Sequence, residues 1–249
     1  MKKYLRAMLM SFTMFTAVPC PFHTWDDAAR PLMTLFLPVV GAFIGGLWTL
    51  TAFILRWLSA PALVQGIVLC AFPFLITGGI HMDGFMDVTD AVRSWRDLDE
   101  RRRILKDPHV GSFAVLFAVL LLLAQFALFA SVKETAEPVA MLLIAVVSRT
   151  VAGLCVTVLR PMDTSEYAGV YRKGVKKSHV VVFSVVLAAT VSLGFVFLGK
   201  YGFVSVSVIL GYLLLLQRGV RSLKGMSGDI SGYAMTFAEL CGVAVYALI

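Results

Sequence analysis

Gly78-Gly79-Ile80-His81-Met82-Asp83-Gly84-Phe85-Met86-Asp87-Val88-Thr89-Asp90 is the stretch on which the reading of this chain turns. It closes an apolar run, residues 63–80, and opens onto a strongly basic segment. Read as a helix, it carries Asp83, Asp87 and Asp90 at i, i+4 and i+7. At about 100° per residue they fall within an arc of roughly 60° on one face. Three like charges in register repel one another, and a divalent cation between them relieves the repulsion. Carboxylate oxygens suit Mg²⁺ or Mn²⁺. The plain alternative is an acidic helix start, since Asp is favoured near an N-terminus. The register, the adjoining apolar run and the scarcity of acids, 15 Asp and Glu in 249 residues, favour the metal site.

Outward from that stretch the chain is mostly apolar. Hydrophobic residues make up 59% and charged residues 15%, and the mean hydropathy is +0.86. A soluble domain of this length carries a larger charged share. Apolar runs recur at 32–55, 63–80, 112–132, 139–159, 180–199, 203–216 and 234–249. Most approach the roughly 20 residues that cross a hydrocarbon core, and the last two are short. The expected fold is all-α: a polytopic integral membrane helical bundle of about seven transmembrane helices. Residues 4–18 are apolar too, but Pro19 and Pro21 end them early, which suits an N-terminal interfacial or re-entrant helix. No small-residue cleavage motif follows, so a signal peptide is the weaker reading. With no internal repeat or long linker, residues 1–249 are expected to form one integral domain.

Orientation follows from lysine and arginine. If the runs alternate with the N-terminus inside, eighteen of the 22 basic residues lie on one side, including Arg93, Arg96, Lys106, Arg160, Arg218 and Arg221. The other side holds only Arg56, Lys133 and Lys200, and Arg149 falls within a run. The positive-inside rule then places the basic face in the cytoplasm of an inner-membrane protein. Contact with anionic membrane lipid accounts for the pI of about 9.4, and no nucleic-acid partner is needed to explain it. Cys20, Cys70, Cys155 and Cys241 are scattered, without metal-ligand spacing, and argue for no disulfide framework.

Most polar residues that can carry chemistry share the basic side. Carboxylates can hold a cation there while arginines or Lys106 take the remaining charge of a phosphate. Pro108 and Gly111 break regular structure before the next run, and Ser112 can cap it. His109 alone is weak. Arg149 and Glu239 are charges inside apolar runs, read either as a structural ion pair or as contacts reaching an inner cavity. Gly225-Met-Ser227-Gly228-Asp229-Ile-Ser231-Gly232 can bring backbone close to a ligand, and Asp229 can add a metal ligand. The polar loop with Asp163, Glu166, Tyr167, Arg172, Lys173, Lys176 and Lys177 reads first as surface anchoring. His23 and His179 read as boundary residues.

Together these motifs resemble the cobalamin synthase family, the adenosylcobinamide-GDP ribazoletransferases. The family's Gly-Gly-x-His-x-Asp-Gly-x-x-Asp-x-x-Asp signature is matched by Gly78 through Asp90. Its Lys-Asp-x-x-x-Gly-x-Phe element is matched by Lys106 through Phe113, and its late Gly-x-x-Gly-Asp-x-x-Gly by Gly225 through Gly232. The early Phe12-Thr13 and Pro38-Val-Val-Gly41 segments fit as well. The chain departs where the family commonly has Asp-Thr-Ala-Asp-Gly, Arg and Gly; here stand Asp87-Val-Thr-Asp90-Ala, His109 and Ala114. The acids are intact.

The resemblance implies a phosphoryl transfer with adenosylcobinamide-GDP and α-ribazole, or its 5′-phosphate, as substrates. A ribose hydroxyl attacks the phosphate on the cobinamide aminopropanol, and GMP leaves. Asp83, Asp87 and Asp90, with Asp229, would hold Mg²⁺ as cofactor. Lys106, and less directly Arg93, Arg96 or Arg149, would offset charge, with Gly225 and Gly228 near the phosphates. One carboxylate or His81 would accept the hydroxyl proton. On an extended helix His81 lies opposite the acids, so that role needs it in the Gly-Gly turn. Self-association, or association with other corrinoid-pathway enzymes, is compatible with this reading. Two other classes compete. A CDP-alcohol lipid phosphotransferase would need an Asp-Gly-x-x-Ala-Arg spacing that is missing here. An ion-coupled transporter would place its site near the bilayer midplane rather than at one interface.

Overall fold

The computed structural model describes residues 2–20, 25–163 and 176–249. His23, Glu166, Tyr167, Arg172 and Lys173 lie outside the described residues. Helix α1 spans Lys2–Phe15, and a 3₁₀ stretch, Arg30–Phe36, runs into α2 (Leu37–Trp57). Then come α3 (Ala62–Ile76), α4 (Ile80–Arg93), the short α5 (Leu98–Ile104), α6 (Ser112–Ala130) and α7 (Ala140–Val158). The remaining described helices are α8 (Lys177–Leu198), α9 (Gly202–Leu223) and α10 (Gly228–Leu248). Among the described residues there is no strand beyond an isolated parallel bridge between Pro161 and Met226.

Among the described residues, five helical stretches are long and apolar enough to cross a membrane: Arg30–Trp57, Ser112–Ala130, Ala140–Val158, Lys177–Leu223 and Gly228–Leu248. Helices α3 and α4 make a sixth if they are taken as one span bent by 89°. About seven were expected, and the difference lies in the 47 residues of Lys177–Leu223, which count once. That stretch turns back at Gly199, whose φ is +56°. Phe195 and Phe203 meet edge to face across the turn, centroids 5.0 Å apart. The two halves, α8 and α9, have 22 residues each.

The run expected at 203–216 is longer as a helix because α9 continues through Gln217, Arg218 and Arg221. Arginine stems can lie along apolar surface while the charge reaches water. Helix α10 likewise starts ahead of its apolar run, with a polar first turn packed inside the bundle. Helix α1, at 14 residues, is too short to span. It lies against the 3₁₀ stretch, where the Ser11 hydroxyl donates to the Met33 carbonyl at 2.7 Å. That suits the expected interfacial helix.

In lipid, helices associate through close packing rather than hydrophobic exclusion, so small residues mark the tight contacts. Gly45 of α2 faces α7 so closely that a Cβ would fall 2.8 Å from the Leu142 Cα. Trp48, fully buried, joins α2, α3 and α6: its indole N–H donates to the Leu69 carbonyl at 3.0 Å, and its ring packs on Phe72 and Phe129. Cys70, Cys155 and Cys241 are free thiols. At the end opposite the acidic stretch, Arg56 donates to the Ala136 carbonyl at 2.6 Å, while Lys133 and Lys200 donate to the Ile249 carbonyl. The few basic residues assigned to that side do gather there.

The sharp bend before α4 depends on two consecutive left-handed residues, Gly78 (φ +64°) and Gly79 (φ +79°). A Cβ on Gly79 would meet nothing within 4 Å, so the conformation alone requires glycine there. Gly79→Ala is therefore expected to destabilise the protein by about 1–2 kcal/mol. Gly46→Ala, equally uncrowded but within α2, should leave stability unchanged or slightly raised. Thermal unfolding in detergent compares the two.

Candidate active site

Helix α4 leaves the Gly78-Gly79 bend and crosses the start of α10 backbone to backbone. A Cβ on Gly84 would lie 2.8 Å from the Asp229 carbonyl oxygen, and one on Gly232 3.1 Å from the His81 carbonyl oxygen. The Thr236 hydroxyl donates to that same His81 carbonyl at 3.0 Å, and Phe85 stacks on Tyr233 with centroids 5.7 Å apart. This seam carries the acids of α4 to the first turn of α10. Asp87 lies within electrostatic reach of Asp83, Asp229 and Asp90. Ser227 caps α10, accepting from the Ile230 amide at 3.2 Å, and its hydroxyl donates to Asp229 Oδ2 at 3.4 Å.

A cavity of about 260 Å³ opens beside the seam. His81, Asp83, Gly228 and Asp229 form its polar side. Phe15, Leu37, Val156 and Met235, from four different helices, form an apolar side. His81 stands in the first turn of α4 rather than in the Gly-Gly turn. It reaches the cavity all the same, because the cavity lies over the start of both helices.

Asp90 has a different task. Its two carboxylate oxygens accept from the amides of Gly111 (2.6 Å) and Ala114 (2.9 Å). The carboxylate thereby caps α6 and faces the positive end of the helix dipole. Ser112 does not cap the helix; the N-cap position is Gly111, without a side-chain bond of its own. A side chain on Gly111 would collide with the Asp90 carboxylate, which explains a glycine in that element. Among the described residues, no three His, Cys, Asp or Glu side chains stand at metal-ligand spacing. The acids on the cavity wall are Asp83 and Asp229, with Asp87 within electrostatic reach of both.

The basic residues do not join the cavity wall. Arg93 lies over the Phe117 ring, 4.2 Å from its centroid. Arg96 and Lys106 are exposed around α5. Hydrogen bonds from the His109 amide and ring hold the Asp107 carboxyl below its usual range. Arg149, 1% exposed, pairs with Glu239 and donates to the Ser148 hydroxyl at 2.9 Å. Of its two sequence readings, the structural ion pair is the one formed. Gly225 sits where Met162 and Met226 pair their backbones, and a Cβ there would lie 2.5 Å from the Met162 Cα. Its small size serves that pairing, whereas Gly228 borders the cavity. The apolar wall was missed from the sequence, because nothing distinguishes Phe15 or Val156 from any other membrane-helix residue.

The fold and this site define a helical, multi-pass membrane protein with a cluster of acids beside a part-apolar cavity at its basic end. The chain belongs to the cobalamin-5-phosphate synthase family, whose model matches residues 7–247. It is similar to the adenosylcobinamide-GDP ribazoletransferase of Clostridium perfringens (strain 13 / Type A), 33% identical over 252 residues and 100% of each chain. The enzyme of the same name from Clostridium botulinum (strain Alaska E43 / Type E3) is 29% identical, covering 98% of this chain and 97% of its own. That of Lachnoclostridium phytofermentans is 29% identical, covering 98% and 94%. No solved structure matches.

The two kinds of acid are separable by stability. Asp90→Ala removes both bonds to α6 and should destabilise by about 1–2 kcal/mol. Asp83→Ala removes an exposed acid from the cavity edge and should leave unfolding unchanged within about 0.5 kcal/mol. Gly84→Val, by forcing α4 off α10, should cost about 1–3 kcal/mol or more. Thermal unfolding of the three variants in one detergent is the measurement.

Proposed function

We propose that this protein is an adenosylcobinamide-GDP ribazoletransferase. A ribose hydroxyl of α-ribazole, or of its 5′-phosphate, attacks the phosphorus that carries the cobinamide aminopropanol. The bond from that phosphorus to the oxygen of GMP breaks, GMP leaves, and adenosylcobalamin or its 5′-phosphate forms. The observation that carries the reading is the seam of α4 on α10, which sets Asp83 and Asp229 on one cavity, with Asp87 within electrostatic reach of both, in a chain of this family.

Mg²⁺ is the proposed cofactor. The donor chemistry suits it, hard carboxylate oxygens on residues whose like charges repel in its absence, and binding would have to draw the three acids in from a spacing wider than metal ligands have. Asp83, Asp87 and Asp229 would hold it, with Asp90 left to cap α6. When bound, it would offset pyrophosphate charge and stabilise the departing GMP. The other tasks belong to the chain itself. Asp83 and His81 border the cavity, and either can take the hydroxyl proton at short range. The apolar wall excludes water and gives an aromatic base a surface to pack on. Arg93, Arg96 and Lys106, on the basic segment after α4, raise the local concentration of a polyanionic substrate. The basic end is proposed to face the cytoplasm.

The test supplies membranes containing the protein with adenosylcobinamide-GDP, α-ribazole 5′-phosphate and Mg²⁺, and measures GMP and cobamide. Asp83→Asn and Asp87→Asn are expected to lower turnover by about 10²-fold or more while the protein still inserts. EDTA should abolish turnover and excess Mg²⁺ restore it. Full activity in either variant removes that acid from the mechanism. Folded protein that makes no GMP, but moves a solute into liposomes, replaces the enzyme by a carrier.

A further inference from the structure

The end of α4 remote from the cavity borders a second recess, of about 450 Å³, between α5 and the end of α9. Val92 and Trp95 form one side, and Arg101, Arg218 and Arg221 converge on it. It adjoins a second, apolar groove on α9, sharing Leu214, Gln217 and Arg221 with it, and that groove extends past Leu213 and Leu210. The path therefore has a cationic head and an apolar tail. Leu210, Leu213 and Leu214 are 62%, 45% and 60% exposed.

Among the described residues, none of Arg101, Arg218 and Arg221 forms an ion pair. The Arg101 Nε is buried with no hydrogen-bond partner among them. Two neighbouring acids are engaged within α5, where Glu100 pairs with Arg103 at 2.7 Å and Asp97 caps the helix through the Glu100 amide at 2.9 Å; the third, Asp99, is exposed and pairs with none of the three arginines among the described residues. Arg102 is turned away, donating to the Leu223 carbonyl at 3.1 Å. Trp95, 77% exposed, is held in the left-handed region at φ +56°. An indole at the edge of such a groove is typical of the level of lipid headgroups.

We propose that this recess binds an anionic phospholipid. The headgroup phosphate sits among Arg101, Arg218 and Arg221, and one acyl chain lies along Leu214, Leu213 and Leu210. Charge complementarity selects the anion. The adjoining leucine groove selects a lipid over a free phosphate, which has no use for it. The recess is separate from the proposed pyrophosphate site, since none of Asp83, Asp87 and Asp229 lines it. A lipid here ties α5 to α9 from outside and so steadies the far end of the helix that bears the acids. The assignment does not depend on the proposed reaction.

Native mass spectrometry of the whole protein, released from detergent with phosphatidylglycerol or phosphatidylcholine, tests it. One phosphatidylglycerol should be retained in preference to phosphatidylcholine. Retention should fall roughly fivefold for each of Arg218→Gln and Arg221→Gln, and return when the same positions are lysine. Leu214→Trp, which fills the groove and keeps the arginines, should also lower it. Both arginines are exposed, so the single variants remain usable if the double variant does not fold. Glycerol 3-phosphate at equal concentration should not be retained. Equal retention of the two lipids, or retention unchanged in the glutamine variants, overturns the proposal. Displacement of phosphatidylglycerol by GDP would also overturn it, making the recess a nucleotide site.

Discussion

The contact on which the site depends is made of backbone: Gly84 of α4 against Asp229, and Gly232 of α10 against His81. Without Cβ atoms between them, two helices can run close enough for their polar groups to share one cavity. Each partner is fixed from behind. Helix α10 is held by α9, where Gly211 meets Cys241, and by α7, where Gly242 meets Ile144. Helix α4 is aimed by the Gly78-Gly79 bend at one end and tied to α6 by Asp90 near the other. The acids are placed by neighbours that carry no chemistry themselves.

Asp83, Asp87 and Asp90 are the same residue type on one helix, yet they divide into two roles. The division follows from what each meets. Asp90 meets the amides that start α6, which satisfy both of its oxygens with no cation present. Asp83 and Asp87 meet another acid, Asp229, across the seam. A helical wheel registers which residues share a face. It carries no information on which neighbouring element covers each part of that face.

That distinction marks how far the sequence could be read. The helix over the acidic stretch was legible because its acids repeat at helical spacing, and the bundle because its apolar runs approach membrane length. The basic end was legible because charge bias has a topological cause. Asp229 was found because it sits in a glycine-rich break on the same face. Arg149 and Glu239 were each singled out as costly in an apolar run, but their meeting is a tertiary fact. The 89° bend and the capping of α6 by Asp90 were hidden for the same reason. The apolar half of the cavity was invisible, since a wall built of Phe, Leu, Val and Met looks like every other part of this protein.

The pairing of Arg149 with Glu239 also bears on how the chain is made. The two residues are 90 positions apart, on α7 and on α10. Until α10 emerges, α7 carries an arginine whose acid does not yet exist, and a charge at the centre of a lone helix opposes insertion by about 3 kcal/mol. The other residues of α7 are apolar enough to carry it into the membrane. There it remains an unmatched segment while α8 and α9 are synthesised. Co-translational insertion can deliver the helices in order, but the core of the bundle can close only once the last of them has arrived.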